Sequence, residues 1–107
     1  MISTHILDTS NGTPAQAVRV SLEKRNDHEW IVVDTNQTND DGRIVFNSNY
    51  EAGVYRLLFE VEEYFARTAR PSFFMTTPVV FKIDDVSRKY HVPLLLNPYG
   101  YSTYRGS

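Results

Sequence analysis

The segment Val18-Arg19-Val20-Ser21-Leu22-Glu23 alternates apolar and polar side chains at period two. No helix turns that pattern into a single apolar face. An extended strand does, sending Val18, Val20 and Leu22 to one side and their polar neighbours to the other. Other short runs rich in branched or aromatic residues read as strands too: Ile2–Leu7, Trp30–Thr35, Arg43–Phe46, Gly53–Val61, Val79–Ile83, Lys89–Leu96 and the terminal run from Tyr101. Turn formers separate them roughly every 8–12 residues. Asp8-Thr9-Ser10-Asn11-Gly12-Thr13-Pro14 reads as a loop, Asn36 to Gly42 closes on Asp41-Gly42, and Asn97-Pro98-Tyr99-Gly100 is a turn. Only Glu62–Thr68 reads as a helix, with acids in its first turn and Arg67 near its end.

Composition agrees with strands. Val, Ile, Thr and the aromatics supply 39 of 107 residues, against 12 for Ala and Leu together, and those side chains suit a pleated surface. The expected fold is all-β: a two-sheet antiparallel β-sandwich of about eight strands with one short helix. A chain of 107 residues has material for one hydrophobic core. Its own side chains fill such a sandwich, so a ligand site must lie on an edge, at a loop end or between subunits.

Several function classes fall away. A formal net charge of −2 leaves no electrostatic footprint for nucleic acid or an anionic membrane. The longest apolar run, Val92 to Leu96, is far too short to span a bilayer. Neither a signal peptide nor a terminal S-K-L is seen, so the cytoplasm is the expected compartment. With no cysteine there is no disulfide, thiolate metal site or cysteine nucleophile, and no metal-ligand spacing, phosphate loop or G-x-S-x-G elbow is found. No cofactor and no metal are expected.

The residues left to carry chemistry are few. His5 lies in the first strand, on one face with Ser3 and Leu7. His91 lies in the penultimate strand, on one face with Lys89, Pro93 and Leu95. From its strand position alone each reads first as a space-filling histidine that hydrogen-bonds a neighbour, and His28, in the polar run Arg25 to Glu29, reads as a solvated loop residue. Arg43 starts a strand just after Asp41-Gly42 and either pairs with Asp40 or Asp41 or presents a fixed guanidinium to an anion or carbonyl. The tail carries Tyr99, Tyr101 and Tyr104 before Arg105-Gly106-Ser107, which suggests a docked strand with its α-carboxylate held in place.

The two ends and the middle of the chain together resemble a known family. Ser3-Thr4-His5-Ile6-Leu7-Asp8-Thr9 with Gly12-x-Pro14-Ala15 is similar to the opening signature of the transthyretin-like family. Thr38-Asn39-Asp40-Asp41-Gly42-Arg43 matches its middle motif, and Tyr90 to Ser107 its closing one. The family's 5-hydroxyisourate hydrolases carry His, Arg and His at the positions matched by His5, Arg43 and His91, and end in Tyr-Arg-Gly-Ser. Transthyretins proper, the thyroid-hormone carriers, differ at those positions. Met75-Thr76-Thr77-Pro78 departs from the family pattern, away from the signatures.

The resemblance implies one transthyretin-like domain over residues 1–107, with a prealbumin-like sandwich assembled as a homotetramer around a central channel. It implies a hydrolase that opens a ring amide of 5-hydroxyisourate, giving 2-oxo-4-hydroxy-4-carboxy-5-ureidoimidazoline in urate degradation. By that resemblance His5, Arg43 and His91 are catalytic, and His5, Arg43, Tyr104 and Ser107 bind substrate. Tyr104 is bulkier than its transthyretin counterpart and would narrow the channel into a shallow pocket. Direct attack by water suits a chain without a cysteine or serine nucleophile, with His91 or His5 as general base and Arg43 on the developing oxyanion. The competing expectations are a non-catalytic small-molecule carrier on the same tetramer, and an interaction module with an idle site.

Overall fold

In a computed structural model that describes all 107 residues, Met1–Ser107, the period-two pattern becomes two facing sheets. The elements in chain order are β1 (Ile2–Asp8), β2 (Thr13–Pro14), β3 (Arg19–Asn26), β4 (Glu29–Gln37), β5 (Arg43–Phe46), β6 (Gly53–Glu60), α1 (Val61–Arg67), β7 (Thr76–Ile83), β8 (Tyr90–Asn97) and β9 (Gly100–Thr103). One sheet runs β2-β1-β8-β9, with β5 also on β1; the other runs β4-β3-β6-β7. The sandwich and its single short helix are as expected. The additional strand is β2, two residues inside the turn-former cluster, where Thr13 and Pro14 fold back on Asp8 and Leu7.

One pairing departs from antiparallel. β8 lies parallel to β1, aligning Ser3 with His91 and His5 with Pro93. Parallel neighbours need a long crossover, and here the entire second sheet and α1 lie between them in sequence. This pairing brings the two motif-bearing ends of the chain side by side.

Between the sheets lies a cluster of 19 buried residues, among them Ile2, Ile6, Val20, Leu22, Phe46, Leu57, Phe59, Phe65, Leu94 and Leu96. Each fully buried side chain of this size contributes on the order of 1.5–3 kcal/mol. β1 shows the consequence for function: Ile2, Thr4, Ile6 and Asp8 are buried, so Ser3, His5 and Leu7 lie on the outer face. At the end of β1, Asp8 is fully buried and fully paired. Its Oδ2 accepts from Tyr64 Oη at 2.8 Å and from Arg70 Nη2 at 2.6 Å, and its Oδ1 accepts from the Ser10 backbone at 3.1 Å. This ties α1 and the segment after it to the first strand.

No helix is long and apolar enough to cross a membrane.

Candidate active site

Arg43 is placed by the turn before β5. Asn39 Oδ1 accepts from the backbone N–H of Asp41 and of Arg43, both at 3.0 Å, and Asn39 N–H donates to the Arg43 carbonyl at 3.1 Å. Gly42 sits at φ +74, and a Cβ there would lie 2.5 Å from the Ile6 carbonyl oxygen, so only glycine closes the turn this tightly. Ile6 N–H then donates to the Gly42 carbonyl at 2.8 Å. The result is an antiparallel register that sets Arg43 directly opposite His5. Directly paired residues share a sheet face, with Cβ atoms about 5 Å apart. Arg43 enters none of the four ion pairs, so its guanidinium is not committed to Asp40 or Asp41.

His91 comes from β8, one strand further across the same face. Its Nδ1 lies 2.8 Å from Ser3 Oγ. Burial lowers its pKa below the ordinary histidine value, the positive field of Arg43 and His5 lowers it further, and hydrogen bonding to the Ser3 backbone only partly opposes them. Each of these favours the neutral imidazole over the imidazolium, apart from that hydrogen bond.

The tail closes over this histidine. The register that pairs Leu94 with Thr103 and Leu95 with Ser102 also brings Gly106 opposite His91, where Gly106 N–H donates to the His91 carbonyl at 2.8 Å. The ladder is broken in between for a clear reason. Alternate residues of β8 face β9, and the one opposite Tyr104 is Pro93, which has no N–H to donate. Thr103 Oγ1 donates to the Pro93 carbonyl at 2.7 Å instead, and Arg105 lies 4.6 Å over the Tyr90 ring. A Cβ on Gly106 would stand 2.5 Å from His91 Cδ2, so any side chain there would make the ring or the tail shift.

These elements enclose a cleft of ≈ 220 Å³ whose walls include Ser3, Arg43, Lys89, His91 and Ser107. Arg43 and Lys89 are its charged side chains, with no Asp or Glu among the lining residues, a set that can meet an anion or a developing oxyanion. His5 does not line the cleft; it flanks it, between Arg43 and Pro93. Tyr104 faces elsewhere, into an adjoining groove of ≈ 230 Å³ with Val79, Val80 and Phe81, and His91 lines both spaces. Ser107 is exposed at the rim, and no hydrogen bond holds its side chain. Sequence reasoning had not singled out Ser3 and Lys89. Strand parity put each on the face of a candidate histidine, which was the only available signal.

No group of three or more His, Cys, Asp and Glu residues gathers in a metal-binding arrangement. What the cleft offers is an imidazole with one ring nitrogen engaged, next to an uncommitted guanidinium. That pairing can take a proton from water and stabilise negative charge on an attacked carbonyl.

Known proteins similar to this chain include both hydrolases and a transthyretin. A 5-hydroxyisourate hydrolase of Salmonella dublin is 44% identical, covering 100% of this chain and 81% of that protein. The solved structure of the Klebsiella pneumoniae 5-hydroxyisourate hydrolase superposes with a TM-score of 0.87 at 42% identity, covering 99% of this chain and 98% of the other. Sea bream transthyretin in complex with thyroxine superposes with a TM-score of 0.92, at only 30% identity, covering 98% and 93%. The backbone therefore does not separate enzyme from carrier; side chains must. The profile of the HIUase/Transthyretin family matches residues 2–106, and the chain belongs to that family.

Proposed function

We propose that this chain is a 5-hydroxyisourate hydrolase, opening a ring amide of its substrate by direct attack of water, as a step of urate degradation. The observation that carries the reading is the cleft that joins His91 to an ion-pair-free Arg43, in a chain 44% identical to a hydrolase of that name. His91 takes a proton from water as its oxygen adds to the ring carbonyl. Arg43 holds the oxygen that becomes negative, and Lys89 adds to the same field. Collapse breaks the carbon–nitrogen bond, the leaving nitrogen takes up the proton, and the new carboxylate remains beside Arg43 and Lys89. His5, opposite Arg43, orients the water or supplies the proton to the nitrogen. Ser107 positions substrate at the rim, and Tyr104 contacts it from the adjoining groove past His91.

Residues 1–107 then act as one transthyretin-like domain in a homotetramer. The tetramer is supported by the unpaired edges of β7 and β9, which border the same groove, and by exposed Val80, Tyr101 and Tyr104 beside them. A carrier on the same fold is the competing reading, and a charged cleft with a poised imidazole favours the enzyme over it.

The test is to supply freshly made 5-hydroxyisourate and follow its absorbance. Decay should accelerate above the spontaneous rate in proportion to protein concentration. Binding without acceleration would make the chain a carrier.

A further inference from the structure

The ring of His91 is held from two sides, and neither contact belongs to the proposed chemistry itself. Gly106 packs its backbone against the Cδ2 edge, close enough that a methyl group would fit only if the ring or the tail shifted. Ser3 Oγ occupies Nδ1 at 2.8 Å, from a position that the parallel β1–β8 register places directly beside His91. Nε2 is the one ring nitrogen left for a ligand in the cleft.

We propose that Ser3 is a positioning residue: it accepts a hydrogen bond from Nδ1–H of His91 and so keeps Nε2 bare as the site that takes a proton from water. The proposal rests on the hydrolase reading. A base that takes a proton from water in the cleft must present a bare ring nitrogen, and with Nδ1 turned to Ser3 that nitrogen is Nε2, so the singly protonated ring carries its proton on Nδ1 and the hydroxyl accepts it. The surroundings also disfavour a second ring proton. Arg43 on β5 and His5 on β1 both act on the ring, Lys89 just before β8 lines the cleft, and Lys82 on β7 and Arg105 in the tail border the groove on its other side. No Asp or Glu side chain lines either space, and the opposing charge is the α-carboxylate of Ser107 at the rim of the cleft. A carboxylate at Nδ1 would orient the ring equally well but would also stabilise the imidazolium. A serine orients it without adding charge.

The experiment combines heteronuclear NMR of the imidazole nitrogens with kinetics of the parental protein, Ser3→Ala and Ser3→Thr. In the parental protein His91 should show the Nδ1–H tautomer, a result that does not depend on turnover. Ser3→Ala should shift the ring towards the Nε2–H form and lower kcat about 10–100-fold, the size usual for loss of a ring-orienting partner. KM should stay within about threefold, because the serine acts through the ring. The acid limb of kcat/KM should move to lower pH, since an acceptor for Nδ1–H stabilises the protonated ring. Ser3→Thr, which keeps a hydroxyl, should restore most of kcat. An Nε2–H tautomer in the parental protein would overturn the proposal, as would a Ser3→Ala enzyme with unchanged kcat and pH profile. A parental protein that shows the Nδ1–H form yet turns nothing over would instead overturn the hydrolase reading and leave the tautomer assignment standing.

Discussion

The two ends of β1 treat charge in opposite ways. At its C-terminal end, Asp8 is buried and every neighbour answers it: Tyr64, Arg70 and Ser10 donate to it, and the Arg70 guanidinium stacks 5.0 Å from the Phe65 ring. Nearer its N-terminus, His5 faces an arginine with no ion pair, and Ser3 touches a histidine whose other nitrogen has no partner. Burying a charge is unfavourable unless it is paired, so the first arrangement holds α1 on the sheet. Groups left uncommitted on an outer face add nothing comparable to stability. They are available to a ligand. The strand thus carries a structural cluster and a chemical one a few residues apart, separated by side-chain parity and by how completely each polar group is satisfied.

This contrast breaks most visibly at Asp8. Removing its cationic partner with Arg70→Met leaves a buried carboxylate short of its strongest bond and should destabilise the fold by about 3–5 kcal/mol in a denaturant titration, with kcat of the folded fraction unchanged. A loss of activity without a loss of stability would mean that the two clusters are not separate.

Acid sharpens the same point. Burial pushes the Asp8 carboxyl up, but the hydrogen bonds from Arg70, Ser10 and Tyr64 and the charge of Arg70 outweigh it and hold the group at about 2, below its ordinary 3.8. A depressed folded pKa means that the contribution is fully present above about pH 4 and is lost as pH falls towards 2, an effect of about 2 kcal/mol. Asp8→Asn should remove that part of the acid sensitivity. The chemical cluster responds in a different range: lowering of the His91 pKa by burial places the acid limb of kcat/KM below the ordinary histidine value, because the base works only when neutral.

The smallest of these effects falls on the tail. Gly106→Ala would press its methyl against His91 Cδ2 and swing the ring or lift the tail, for a loss of about 10-fold in kcat/KM with little change in thermal stability. An unchanged rate would show that the tail does not hold the ring.

How much of this was legible in the sequence follows from the range of each interaction. Strand periodicity and turn chemistry are local, so β1, β3, β5, β6, β7 and β8 lie close to where alternation and turn formers put them, and α1 starts one residue earlier than the acid-rich turn suggested. β2 was hidden because its two residues pair only with the end of β1. The parallel alignment of β1 with β8 depends on a crossover through the second sheet, which no local pattern encodes. Ser3 stayed unnoticed for the same reason, since its partner is 88 residues away. Arg43 and the histidines were visible through their motifs, and the structure brings Arg43, His91 and Ser107 to one cleft with His5 beside it. Tyr104, which the resemblance placed at the substrate, lines the adjoining groove and not the cleft.

The uncommitted pair of His91 and Arg43 is the centre of the proposed chemistry, and substituting each residue tests it. Parental protein, His91→Asn and Arg43→Met are compared for the decay of freshly made 5-hydroxyisourate, with thermal unfolding of each recorded alongside. The account predicts that each substitution lowers kcat/KM by about 100-fold or more, while the unfolding temperature stays close to the parental value. Near-parental turnover in both variants would contradict it.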